Sequence, residues 1–180
     1  MSSYDHFAHR HNFAVWAAAR AAQRGFTTVA RLKAALEACG IVEFLRQPNA
    51  QHTGREEFDH LHREWCVEVV DHLTRQGISN PTYGRAAKLI AVYLKAMVVV
   101  GPLSDSSLAQ VAHPPVDRIL LRNLARTDDI SSPHKREWAR LNWTQLGEDA
   151  YCRLISQLRE CLNDGEPMWH LEKYWTVTAL

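Results

Sequence analysis

The chain has 180 residues, 46% hydrophobic and 23% charged, and 21 lysines and arginines against 20 acids leave a formal net charge of +1. One compact domain with a sizeable core suits that length, and no apolar run reaches the roughly 18 residues that cross a bilayer. The near-neutral balance argues against binding nucleic acid by bulk charge, though not against a local basic face.

Apolar spacing is helical almost throughout. Residues 6–24 repeat Phe7, Phe13, Ala14, Trp16, Ala17 and Ala21 at largely helical intervals and stop at Gly25. Thr27 or Thr28 caps a second helix that runs to Cys39 and is closed by Gly40. A polar loop over 47–54 precedes a helix over 55–76, with Phe58, Leu61, Trp65, Val69, Val70 and Leu73 on one side. The loop 78–83 leads into a helix over 84–100 that halts at Gly101-Pro102. A short helix over 105–111 and another over 116–126 follow. Ser132-Pro133 then opens a segment carrying Trp138, Leu141 and Trp143, and a long helix fills 146–162 before MWHLEKYW. No alternating strand pattern competes, and no solenoid repeat occurs. The expectation is an all-α fold, a single helical domain over residues 1–180 with no linker.

The four cysteines (Cys39, Cys66, Cys152, Cys161) form neither a CxxC pair nor a disulfide framework. The first residues, MSSYDHFAHRHNF, have no apolar stretch ahead of a cleavage site. Both features lead to the expectation of a cytoplasmic protein without a secretory leader.

Two stretches carry chemistry. In AAKLIAVYLKAMVVVG, Lys88 and Lys95 are the only charged residues between Arg85 and Asp105. Seven residues on a helix place both ammonium groups on one face, about 10 Å apart along the axis. By periodicity alone they mark the solvated stripe of an amphipathic helix. If Lys88 instead lines a desolvated cleft, its pKa falls and a neutral amine becomes available as a nucleophile. In His113-Pro114-Pro115-Val116-Asp117, two prolines deliver an aspartate to a helix start. There the carboxylate caps the backbone and is held ionised by the dipole, so a structural cap and a cation-stabilising group are compatible readings.

YGRAAKLIAVYLK (83–95) and HPPVDRILL (113–121), with a looser echo in PMWHLEKYW (167–175), resemble the helix-hairpin-helix DNA glycosylase superfamily. Within it the chain is most similar to the archaeal 8-oxoguanine DNA glycosylase branch. The resemblance implies a helix-hairpin-helix glycosylase-like fold that acts on double-stranded DNA carrying a damaged or modified base. That base would be of the 8-oxoguanine type or a modified viral one, in repair or antiviral defence. Lys88 would attack the sugar carbon C1′, with possible AP-lyase strand cleavage, and Asp117 would stabilise the oxocarbenium-like transition state. Lys95, Glu172, Trp65, Trp169 and Trp175 would hold the flipped base. No cofactor, metal, membrane or obligate protein partner is implied. The family's Gly-apolar-Gly hairpin is missing, since Gly77 and Gly84 lie too far apart. The segment Thr82, Tyr83, Gly84 and Arg85 would instead hold a DNA phosphate at a helix N-terminus.

Other patterns compete with this one. Arg55 and His60 have the Arg-x4-His spacing of HEPN ribonucleases, which makes an RNA-cleaving enzyme the alternative. Asp59, His62 and Cys66 share a helical face as metal ligands would. His11 or Asn12 offers a contact to a base edge. An all-α interaction protein without chemistry is the third class.

Overall fold

The computed structural model describes residues 4–23 and 25–176. Arg24, the expected end of the first helix, and the outermost residues of the expected 1–180 domain lie outside the described residues. The helices are α1 (His6–Gln23), α2 (Val29–Ala38), α3 (Ile41–Leu45), α4 (Arg55–Arg75), α5 (Tyr83–Leu94), α6 (Ser107–Val111), α7 (Arg118–Arg126), α8 (Lys135–Trp138) and α9 (Glu148–Arg159). Among the described residues no strand occurs. Tight 3-10 turns at Ala50–His52, Trp143–Gln145 and Met168–Tyr174 join them, and a wider π-helical turn, Lys95–Val99, extends α5.

Capping residues set the boundaries. Thr28 Oγ1 accepts the Arg31 N–H at the head of α2, Ser106 does the same for Ala109 at α6, and Thr82 for Arg85 at α5. Gly40 adopts the left-handed conformation and turns α2 directly into α3. That short helix was not expected from the sequence, because five residues carry too little periodicity to register. The segment after Ser132-Pro133 holds only the four-residue α8, and Trp143 sits in a 3-10 turn.

α5 lies at the centre of the molecule. Its Ala86, Ala87, Leu89, Ile90, Tyr93 and Leu94 are all buried, with α1 and α4 packed against it. The close approach of α1 depends on small side chains: Ala14, Ala18, Ala19 and Ala22 are all fully buried. This corrects the face expected for α1, since Phe13 and Trp16 are 58% and 56% exposed. A ridge of alanines fits against α5 more closely than aromatic rings can, so the rings turn outward. At the other end of α5, Gly84 meets the Trp143–Gln145 turn. A Cβ there would collide with the Trp143 carbonyl oxygen, and its N–H donates to Leu146 O at 2.9 Å. The core is one continuous cluster drawing on every helix except α8's exposed side. No helix is long and apolar enough to cross a membrane.

Candidate active site

The HPPVD segment is a buried, extended strap between α6 and α7. Buried backbone outside a helix must find partners for its N–H groups, and two prolines remove two such donors. The Pro115 carbonyl accepts a hydrogen bond from Lys88 Nζ at 3.1 Å. Asp117 then caps α7, its Oδ1 accepting the Leu120 N–H at 2.9 Å. Its other oxygen, Oδ2, accepts from Lys88 Nζ at 2.9 Å and from the Trp175 indole N–H at 2.8 Å. Residues distant in sequence thus meet in one ion pair whose side chains are each 6% exposed.

Burial pulls the Lys88 pKa below its usual value, more strongly than the Asp117 charge and hydrogen bond, and then Glu172, hold it up; Lys95 adds to the lowering. For Asp117, burial pushes upward, but the Lys88 charge, the Leu120 N–H and the Lys88 and Trp175 donors together keep the carboxyl below its ordinary range. The pair therefore holds a dependable carboxylate beside an amine that gives up its proton more readily than a surface lysine does.

Lys88 opens onto a cavity of about 280 Å³ between α1, α5 and the C-terminal turn. Phe13, Ala17 and Ala21 form one wall, Val92 and Ala96 another, and Trp175 and Pro115 close it. Lys95 and Glu172 reach in as a second ion pair at 2.7 Å, with Lys95 Nζ 5.6 Å from the Trp175 ring centre. Two cations and two carboxylates leave the group with no net charge. Apolar walls with a few converging polar groups, in a volume just under the roughly 300–1,000 Å³ common for ligand pockets, give the site the make-up of a small binding cavity. Lys95 begins the π-helical turn, a deviation often found at functional positions.

The structure thus brings together Lys88, Asp117, Lys95, Glu172 and Trp175, and leaves three other candidates elsewhere. Trp65 is sealed in the core against Phe44 and Phe58, because it falls on the inward face of α4. Trp169 packs on His170 away from the cavity, its indole N–H buried without a partner. His11 is engaged by the Tyr93 hydroxyl and by Glu37. The phosphate cradle expected at Thr82, Tyr83, Gly84 and Arg85 is closed. The Gly84 and Arg85 N–H groups are taken by Leu146 O and Thr82 Oγ1, while Thr82 donates to Thr144 O and Tyr83 is buried. Only the Arg85 side chain remains unpaired there. The alternative pair separates as well. The His60 side chain is 67% exposed beside Glu64, while Arg55 borders a different hollow near Arg159. Sequence reasoning missed Phe13 and the small residues Ala17 and Ala21 as cavity walls, although their spacing of four marks a single helix face.

A second, partly buried polar cluster anchors the far end of the strap. Asp59 accepts both guanidinium nitrogens of Arg159, at 2.7 and 2.6 Å, and faces His113 Nε2 at 3.1 Å. Tyr151 Oη lies 3.2 Å from His113 Nδ1, and His62 stacks on the Tyr151 ring. A neutral His113 satisfies both neighbours by donating from Nε2 to Asp59 and accepting at Nδ1 from Tyr151. Asp59, His62 and Cys66 therefore do not gather as a ligand set, because Arg159 holds the carboxylate. Burial is the first cause lowering both histidine pKa values. Their lowered folded-state values mean that stability is complete above the unfolded histidine value near 6.5 and falls as pH drops below it. Melting temperature should decline between pH 7 and pH 5, each histidine contributing about 1 kcal/mol per pH unit, and His62→Phe should flatten the slope.

Protein-family models, curated proteins and solved structures give no match to the chain.

Proposed function

We propose that the chain is a DNA glycosylase with a helix-hairpin-helix glycosylase-like fold, extruding a damaged or modified base from double-stranded DNA and cutting its glycosidic bond. One observation carries the reading: a buried Lys88–Asp117 pair opens onto a cavity that also holds Lys95, Glu172 and Trp175. A glycosidic bond inside a duplex is out of reach of such a cavity, so the nucleotide must swing out. Neutral Lys88 Nζ attacks C1′, the C1′–N bond breaks, and its electron pair leaves with the base, which takes up a proton. Asp117 stabilises the positive charge that develops on the sugar. Loss of a proton from Nζ and opening of the sugar ring leave a Schiff base, from which elimination of the 3′-phosphate cuts the strand. Where water attacks C1′ instead, an abasic site remains.

Lys95 and Glu172 form an ion pair, and their ammonium donors and carboxylate lone pairs together match the mixed donor and acceptor edge of a base. Trp175 offers a face for stacking, and Phe13 and Trp16, with ring centres 6.1 Å apart, stand exposed beside the cavity where unstacked bases would contact them. Duplexes with 8-oxoguanine, alkylated or hypermodified bases, incubated with the protein and heated in alkali, should break at the modified position. Intact strands across the whole panel would exclude base excision.

A further inference from the structure

Beyond the lysine cavity, a wider hollow of about 580 Å³ is lined by Arg85, Arg118, Arg140, Asn142 and Thr144. Arg85 comes from α5, three residues before Lys88; Arg118 follows Asp117 at the start of α7; Arg140 lies just beyond α8. Among the described residues no carboxylate lines this hollow. Three other arginines form ion pairs, Arg63 with Glu148, Arg75 with Glu68 and Arg159 with Asp59. Among the described residues, none of the three lining arginines forms an ion pair. In a chain with a net charge of only +1, three unanswered guanidiniums on one concave face are a local concentration of charge.

Arg85 is the most telling of the three. Its guanidinium lies over the Phe26 ring at 4.2 Å, with Nε and Nη1 buried and unpartnered. Guanidinium N–H groups removed from water without acceptors carry a desolvation cost that a bound oxyanion would offset. Thr144 Oγ1 donates to Asn142 Oδ1 at 2.9 Å, which leaves the Asn142 amide hydrogens free to face the same ligand.

We propose that this arginine hollow binds the phosphodiester backbone of the DNA strand beside the extruded nucleotide, in place of the closed helix N-terminus of α5. The identity of that strand rests on the base-excision reading; the oxyanion site itself does not.

The test uses the full chain and a fluorescein-labelled, undamaged duplex, followed by anisotropy from 50 to about 200 mM salt, where phosphate contacts dominate affinity. Arg118 and Arg140 are both exposed, so glutamine at either position should leave the melting temperature unchanged. Arg118→Gln and Arg140→Gln should each weaken binding several-fold and lower the slope of log K against log salt by about 0.9, whatever the base sequence. Arg122→Gln, an exposed arginine of α7 outside the hollow, is the control and should leave both unchanged. Wild-type affinity and slope in the hollow variants, or no duplex binding by the wild type, would overturn the proposal even if bases are excised. Reduced slopes in a protein that excises nothing would support the oxyanion site and sink the excision reading alone.

Discussion

Lys88→Gln should excise a modified base at least about 10³-fold more slowly than the wild type, and borohydride should trap no covalent adduct with it. Glutamine is the informative replacement. Its side chain is one atom shorter than that of lysine but keeps a polar donor below the strap, and Asp117 still caps Leu120 and accepts from Trp175, while the nucleophile is lost. Because Asp117 loses its counter-charge, the melting temperature should also fall, so excision is compared at a temperature where circular dichroism shows the variant folded. In the wild type, the amine reacts after losing its proton, so the rate should rise with pH through the lowered Lys88 pKa, below the ordinary 10.5. That limb disappears in Lys88→Gln. A persistent adduct, or excision at the wild-type rate, would mean that Lys88 is not the attacking group.

Asp117→Ala should be the most destabilising single change at the site. It removes the α7 cap, the indole partner of Trp175 and the counter-charge of a lysine whose side chain is 6% exposed. Breaking a buried ion pair by removing one member costs about 3–5 kcal/mol, because the other charge is stranded. For a chain of this size that is a fall in melting temperature of about 6–20 °C. Asp117→Asn separates the contributions: asparagine caps a helix as well as aspartate does, but carries no charge. It should recover part of the lost stability and none of the lost excision. The carboxylate's lowered pKa gives a matching acid dependence, with the pair's stabilisation complete above the unfolded aspartate value near 3.9 and lost as pH falls through the folded one. Equal stability of Asp117→Ala and wild type would contradict the buried-pair geometry.

The helices were largely legible from the chain because their signals are local. Thr28, one of two threonines expected at the head of α2, caps it, and the apolar spacing of residues 55–76 marks α4 correctly, its Phe58, Trp65, Val69 and Leu73 all buried. Which helix face turns inward was less legible. In α1 the expected apolar stripe mixes Phe13 and Trp16 with alanines, and only the alanine side is buried, because close packing on α5 leaves room for small side chains. The same ambiguity governs Lys88. Periodicity equally allows a solvated stripe, and only the strap carrying Pro115 and Asp117, folded across it, turns that position into an enclosed one.

Of the three tryptophans that the glycosylase resemblance nominates as ring partners, Trp65 and Trp169 face other surroundings and Trp175 reaches the carboxylate. The closed N-terminus of α5 is a tertiary outcome too. Gly84 suggests an accessible backbone, but the Trp143–Gln145 turn, some sixty residues later, covers it.

What the sequence by itself determined is the all-helical architecture and its main boundaries, since hydrophobic period, caps and prolines act over a few residues, while the pairing of Lys88 with Asp117 is an expectation from the glycosylase resemblance. What only the tertiary structure decided is which charges lose water together. Desolvation depends on the atoms packed around a group, and those atoms come from α1, the 113–117 strap and the C-terminal turn, brought together by long-range packing that no local pattern encodes.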